Sequence, residues 1–530
     1  MTISARTLIE NGVPRMMEPL AAAQKAANIA VAKGFDAQRV LAAVKAVCLA
    51  KGALPVAGEE PELSELMAPL SEALREVFAR RVVFTEGQEP APWRSWVKGD
   101  LEAGAVEQMK NACRLPISVG GALMPDAHTG YGLPIGGVLA VRNAVIPYAV
   151  GVDIACRMRL SVLDLSLEAL EQSEELLRGA LIRETRFGAG ACYRETEGIT
   201  HPVMDRALWE AAGPVALSVW KTACMQLATS GGGNHFAEFG TLTVTAPVDE
   251  PGFKLAPGQY VALLTHSGSR GAGSTIAKNY SELAMSLHPE LPEELRHLAW
   301  LELDTPEGQE YWNAMQLMGR YAEANHQLIH ERIIRHCGAG VIAAVENHHN
   351  FAWKETYGGE ELVIHRKGAT PAGEGVLGVV PGSMGTPGFV VRGRGNPDSF
   401  CSCSHGAGRV MSRAAAFRHL SHERMREILE EKGVKLISGP IDESPEVYKD
   451  IEQVIEAQKD LIDVLARFDP KIVKMANEKE NRVNKPWLKK SRAPKGKGKA
   501  AAEAVPAASD AAASSAAPEA AAPQAGADAA

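Results

Sequence analysis

Long apolar runs are missing from this 530-residue chain, and with them any stretch able to cross a bilayer as a helix. The opening segment, MTISARTLIENGVPRMMEPL, holds no compact hydrophobic block of the kind that directs secretion. Cysteine is sparse: eight residues are scattered along the chain, too dispersed for a secreted disulfide scaffold. Cys401 and Cys403 stand too close for an easy bond with each other. These absences point to no membrane and to a reducing cytoplasm, where a cysteine that matters acts as a thiolate. Excess positive charge is missing too. The net charge of -8 excludes coating of nucleic acid by bulk basicity, while leaving room for a local basic groove. Neither a GxxxxGK[ST] loop nor a convincing strand–GxGxxG–helix unit is present, so no P-loop or Rossmann architecture is expected.

What is present has three textures. Residues 1–87 read as a helical N-terminal extension, since LAAAQKAANIAVAKGF, QRVLAAVKAVCLAKG and SELMAPLSEALREVFARRV carry apolar residues at helical spacing. Residues 88–476 alternate short β-like runs (VALLT, GVIAAV, ELVIH, GFVVRG) with glycine-rich loops and amphipathic helices. That pattern predicts the α+β class, a single mixed α/β catalytic domain whose loops meet at a central cleft. Within it, YWNAMQLMGRYAEANHQLIHERIIRHC reads as one long helix, with His326, His330 and His336 as surface or core residues rather than ligands. Residues 477–530 turn basic (NKPWLKKSRAPKGKGK) and then rich in Ala, Pro and Ser, a composition expected to form a disordered tail.

Polar islands interrupt the middle segment. In MPDAHTGYGLPIGGVLAV, Asp126 and His128 precede a run of glycines that lets backbone approach a bound group closely. An Asp and a His on a turn are, by themselves, more often hydrogen-bonded caps. In VGVDIACRM, Asp153 and Cys156 are spaced so that a carboxylate and a thiolate can converge on one cation, or form a cap beside a structural cysteine. GGGNHFAEF adds Asn234, His235 and Glu238, LLTHSGSRGAG adds His266, and ENHHNFAW adds His348, His349 and Asn350. Together these supply enough N, O and S donors for two ions, a set suited to Mn²⁺ or Zn²⁺. HRKGATPA and VPGSMGT offer Arg366, Lys367, Ser383 and glycines able to cradle phosphates through backbone amides. In SCSHGAGRVMSRAA, His405 stands before a Gly-Ala-Gly turn and is open to three roles: phosphate ligand, general acid or base, or covalent nucleophile.

Taken in order, HSGSRG, HRKGAT, PGSMGT and SHGAGRVMSR, with the later IDESPEVYKDIEQVIEAQKDLIDVL, resemble the RtcB family of RNA-splicing ligases from about Arg94 to Met475. The resemblance implies a GTP-dependent RNA ligase with two Mn²⁺ ions, held by Asp153, Cys156, His235, His266 and His349. His349 is chosen over His348 because the family's ligand directly precedes the Asn of its His-Asn pair. The resemblance makes His405 the nucleophile that carries GMP. It places the guanine nucleotide against Asn234, His235, Phe236, Ala237, Glu238, His349, Asn350, Pro381, Gly382, Ser383, Met384, His405, Gly406, Ala407, Gly408 and Lys474, with Glu238 and Lys474 reading the base. Arg270, Arg409 and Arg413 are then contacts to RNA or phosphate. The implied substrates are RNA ends bearing a 3′-phosphate or 2′,3′-cyclic phosphate and a 5′-hydroxyl, in tRNA splicing or repair. An archease-type activator serves some relatives and leaves no mark in this sequence, which is also silent on oligomeric state.

The chain departs from the family pattern at four positions. VDIACRM replaces the usual VDIGCGM, so that Ala155 and Arg157 stand for glycines, and Pro387 and Gly388 follow PGSMGT where serines are usual. Arg157 is expected beside the metals, either helping to bind phosphate or crowding the RNA path. A cyclic phosphodiesterase or end-processing hydrolase that has lost ligation is the alternative; a site built to carry GMP argues against it.

Overall fold

The computed structural model describes residues 2–14, 16–54, 61–79, 81–99 and 102–481. The tail expected over 477–530 therefore falls outside the described residues from 482 onward. Its first residues are structured. Glu478–Asn481 form a helical turn, and the Asn481 side chain accepts the Gly233 N–H at 2.9 Å.

Mixed helix and sheet is the observed class. Among the described residues one five-stranded sheet runs, edge to edge, through Trp93–Ser95, Ser118–Tyr131, Leu133–Val141, Glu360–Lys367 and Phe351–Tyr357. A larger, eight-stranded sheet runs through Val341–His348, Arg157–Leu163, Gly258–Ser267, Phe236–Val244, Ile462–Met475, Gly388–Gly393 and Leu377–Val380, with Lys435–Ser438 paired beside Ile462–Met475. Pairing in the larger sheet is antiparallel except for Lys435–Ser438. The two sheets meet through a shared core that joins Val138, Ala140 and Ile364 of the first to Val380, Phe389 and Val391 of the second.

Strand alternation sends Val261 and Leu263 to one side of the larger sheet and Ala262 and Leu264 to the other. On the first side lies the helix Pro306–Cys337, 32 residues long, which packs Ile329, Ile333 and Ile334 against Leu163, Val261 and Leu263. Its limits are local. Thr305 caps its start by accepting the Gly308 N–H, Pro306 occupies the first turn, and Gly338 ends it in a left-handed conformation. Of the three histidines on it, His326 and His330 are wholly buried, whereas His336 is half-buried and pairs with Glu184 at 3.1 Å.

The N-terminal helices Ala5–Glu10, Met17–Ala32, Ala37–Leu49, Pro61–Leu66 and Ala68–Phe78 share a core of their own, including Leu8, Ala27, Val44, Leu70 and Leu74. They are fastened to the rest by charge. Arg81, with 2% of its side chain exposed, donates to Glu302 at 2.8 Å and also to Glu307, in the first turn of the long helix. Burying these charges is tolerable only while they are paired. Replacing Arg81 by alanine is expected to cost about 3–5 kcal/mol by stranding two buried carboxylates. A thermal melt of Arg81→Ala indistinguishable from wild type would refute this.

Candidate active site

Four adjacent strands of the larger sheet end at one edge. Met158 pairs with His266, Phe236 pairs with the same His266, and Arg157 pairs with His348. The residues at or just beyond these ends are Cys156, His266, His235 and His349. Register alone thus gathers four candidate ligands from segments nearly two hundred residues apart. Two loops complete the edge. Ala155 lies at φ 56° and Asn350 at φ 58°, both in the left-handed region, and the Ala155 N–H donates to the Asn350 carbonyl at 2.9 Å. The His349 N–H donates to the Cys156 carbonyl at 2.9 Å, stitching the second loop to the first. Ala155 thus adopts a glycine-like conformation, a cost that neighbouring bonds hold in place.

The Cys156 sulfur is 3.3 Å from Nε2 of His235 and 3.0 Å from Nε2 of His266. Nε2 of His266 lies 3.3 Å from Nε2 of His349, and the Asp153 carboxylate 3.0 Å from Nε2 of His235. The ligand atoms of Cys156, His235 and His266 all fall within 4.8 Å of one another. One thiol, three imidazoles and a carboxylate converging in this way fit a divalent transition ion. The His266 Nδ1–H donates to the Asn234 carbonyl at 3.2 Å, which leaves the Nε2 lone pair facing the cluster. Arg270 lies 2.9 Å from Nδ1 of His235, and Nε2 of that ring faces Asp153 and Cys156. Gly231 makes room for this guanidinium: it lies at φ 88°, and a Cβ there would sit 1.4 Å from Nη1 of Arg270.

Burial dominates the electrostatics. It lifts the Cys156 thiol well above its ordinary value, reinforced by the adjacent Asp153 carboxylate. It pushes His266 and His349 well below theirs and lowers His235, with Arg270 adding to the last effect. Burial also raises Asp153, yet the His235 hydrogen bond and the Arg270 charge outweigh it and hold the carboxyl below the usual range.

Across the cleft, His405 is held by Asp126, which accepts the ring Nδ1–H at 2.7 Å and the backbone N–H at 3.2 Å. Asp126 is fully buried, and its other carboxylate oxygen has no hydrogen-bond partner in the structure. With Nδ1 so engaged, Nε2 is the free nitrogen of His405. Its ring lies 4.9 Å, centroid to centroid, from that of His349. Gly408, at φ 74°, lets the loop close on the Asp126 carbonyl, where a Cβ would approach to 2.0 Å. A cavity of about 300 Å³ opens between the two groups.

The cavity is lined by Asp153, Cys156, Asn234, Phe236, His266, His349, Asn350, Pro381, Gly382, Ser383, Met384, His405, Gly406, Ala407 and Gly408, with Arg409 and Arg413 at its edge. His235 stands behind it in the ligand cluster. Glu238 lies on the same sheet face as Phe236, buried, its carboxyl raised well above the usual range by burial. Glu238, Ala237 and Lys474 are all absent from the cavity lining; Ala237 and Lys474 lie on the other face from Glu238. They pair with each other and face the opposite side of the sheet, where the Lys474 ammonium donates to the carbonyls of Leu181 and Ile182 and to Thr185. Placing Lys474 with Glu238 at one base is therefore corrected by strand parity. Arg157 needs the same correction. Its side chain turns away from Cys156 and donates to Glu346 at 2.5 Å and to the Gly319 carbonyl at 3.3 Å. It neither joins the ligand cluster nor crowds the cleft. His348 also turns away, stacking near Phe351 and Trp353. Gly388 begins a strand outside the cavity, and Thr386 steadies Ser383 by accepting its N–H at 2.6 Å.

Residue-by-residue reading missed two features. Asp126 appeared only as a turn residue, 279 positions from the histidine it holds. The acidic pair Asp442–Glu443, which holds Arg413, and Glu443 with Tyr448, which line the cavity, stood unremarked inside IDESPEVYKD.

Fold and site thus define an α+β enzyme-type cleft in which candidate metal ligands face a carboxylate-held histidine. The family model described as tRNA-splicing ligase RtcB matches residues 108–475. The RNA-splicing ligase RtcB of Escherichia coli (strain K12) is 36% identical over 405 residues, covering 71% of this chain and 95% of that protein. RNA-splicing ligase RtcB of Mycobacterium tuberculosis is 32% identical over 441 residues, covering 68% and 98%. For tRNA-splicing ligase RtcB of Methanococcus maripaludis the identity is 31% over 428 residues, covering 67% and 88%. The chain belongs to the RtcB family of splicing ligases.

Burial of neutral histidines makes stability fall with acid. His348 is pushed down to about 3 and His365, which accepts the Ile146 N–H, to about 4. The unfolded chain takes up these protons near pH 6.5, so the stabilisation is complete above that value and shrinks below it. At pH 5.5 each ring is expected to have cost about 1.4 kcal/mol. Urea midpoints at pH 7.5 and 5.5, with a chelator present, would expose the loss; equal midpoints would contradict it.

Proposed function

We propose that the chain is a GTP- and manganese-dependent RNA ligase joining a 3′-phosphate or 2′,3′-cyclic phosphate end to a 5′-hydroxyl end. The observation that carries this reading is the single cleft shared by His405, held at Nδ1 by Asp126, and the donors Asp153, Cys156, His266 and His349. The ligase names of the relatives support the reaction class. Asp153, Cys156, His235, His266 and His349 would hold two Mn²⁺ ions, which would supply positive charge against the phosphate oxygens.

His405 Nε2 attacks the α-phosphorus of GTP; the N–P bond forms as the bond to pyrophosphate breaks. Asp126 accepts from Nδ1 and stabilises the positive charge that the ring gains. GMP then passes from His405 to the RNA 3′-phosphate, and the 5′-hydroxyl displaces it, closing the phosphodiester. A cyclic phosphate end is first hydrolysed to the 3′-phosphate: the oxygen of water bonds to phosphorus as the bond to the 2′-oxygen breaks, leaving a 2′-hydroxyl. Backbone amides of Gly382, Met384 and Gly406–Gly408 suit the nucleotide phosphates, and Arg409 and Arg413 suit RNA phosphates. Glu238 is retained as a reader of guanine; Lys474, on the far face of the sheet, is not. The physiological role assigned is tRNA splicing or RNA repair, in a reducing cytoplasm that keeps Cys156 a thiol. None of the eight cysteines is in a disulfide.

Incubation with α-labelled GTP and Mn²⁺, then a denaturing gel, tests the central step. Wild type is expected to carry an acid-labile label that His405→Ala lacks, and Asp126→Asn is expected to label about a hundredfold more slowly. Ligation surviving in His405→Ala would overturn the mechanism. Manganese binding without any label would favour the hydrolase.

A further inference from the structure

The long helix Pro306–Cys337 reaches up to the ligand edge from beneath, through a buried polar side chain that carries none of the chemistry described so far. Asn325 is fully buried. Its amide donates to the Thr229 carbonyl and to the Ser267 hydroxyl, both at 3.1 Å. That hydroxyl in turn donates to the Ser230 carbonyl at 3.0 Å. Thr229 and Ser230 open the glycine loop that leads to Asn234 and His235; Ser267 directly follows His266 and offers its carbonyl to the Cys156 thiol at 3.5 Å. One amide therefore ties together the two segments that carry His235 and His266, and the second of them also holds the Cys156 thiol. The glycine loop needs such a tie. Gly231 and Gly233 both have positive φ, so the loop's own conformational preferences hold it weakly.

We propose that Asn325 is a positioning residue for the metal centre, setting the separation of the His235 loop from the His266 strand. A neighbouring tie supports the same edge: His330 bridges the Ser161 hydroxyl and the Thr265 hydroxyl, each at 2.9 Å, and so holds two ligand-bearing strands in register. Both anchors come from one rigid helix, which gives the cluster a fixed floor. Leucine in place of Asn325 keeps the branched outline and removes both donor hydrogens. Outer-shell partners of this kind change metal affinity by about 10–100-fold when removed.

This inference rests on the metal reading above, so wild type is measured in parallel. Mn²⁺ binding is followed by calorimetry, and Co²⁺ is substituted to read ligand geometry from its visible d–d bands. Asn325→Leu is expected to fold with wild-type circular dichroism, to bind Mn²⁺ at least tenfold more weakly, and to show shifted Co²⁺ bands. Should that variant fail to fold, Ser267→Ala, which removes only the relay hydroxyl, is expected to show the same shift of the Co²⁺ bands in a folded protein. Wild-type affinity and unshifted bands in a folded variant would overturn the proposal. Absence of metal binding by wild type itself would instead overturn the reading on which it rests.

Discussion

The antiparallel register of four neighbouring strands is the constraint on which the site depends. Because Met158 and Phe236 both pair with His266, and His348 pairs with Arg157, the strand ends coincide at one edge. A slip of one residue in any pair would turn a ligand to the other face of the sheet. The same alternation that points Cys156 into the cleft points Arg157 out of it, onto Glu346. An arginine beside a thiol ligand is thus compatible with a metal centre, provided that a carboxylate waits on the other face.

Charge is handled differently on the two sides of the cleft. Among the candidate ligands, burial suppresses protonation of the imidazoles and ionisation of the thiol, a frustrated arrangement that a divalent cation would relieve. Opposite them, Asp126 is buried with one oxygen committed to His405. The arginines at the mouth are already paired: Arg413 with Asp442 and Glu443, and Arg409 with the Asp442 carbonyl. Acidic side chains hold these guanidinium groups in place at the cavity.

The long helix connects regions that look unrelated in sequence. Its first turn receives Arg81 from the N-terminal helices, and its middle supplies Asn325 and His330 to the ligand edge. Of the histidines expected at surface or core positions on this helix, His326 and His330 prove to be interior, His330 facing the sheet, where it bonds Ser161 and Thr265. A hydrophobic stripe specifies one buried face; it does not say whether the second face is covered as well.

The sequence by itself determined the class of fold, the family and the identity of the polar islands, because each island is a short motif whose residues act within a few positions of one another. The preference for His349 over His348 comes from the family resemblance, and the structure sets His349, not His348, beside His266. Only the tertiary structure decided which side chains share a space. Asp126 and His405 meet across 279 positions. Lys474 faces away from Glu238, and the register shift between Pro470 and Ile472 resets strand parity in a way that counting along the chain does not foresee. Asn477–Asn481, basic-tail residues by composition, are held by the glycine loop they cap. Each of these outcomes turns on which backbone lies beside which, and long-range pairing is selected by the energy of the whole packed fold rather than by local preference.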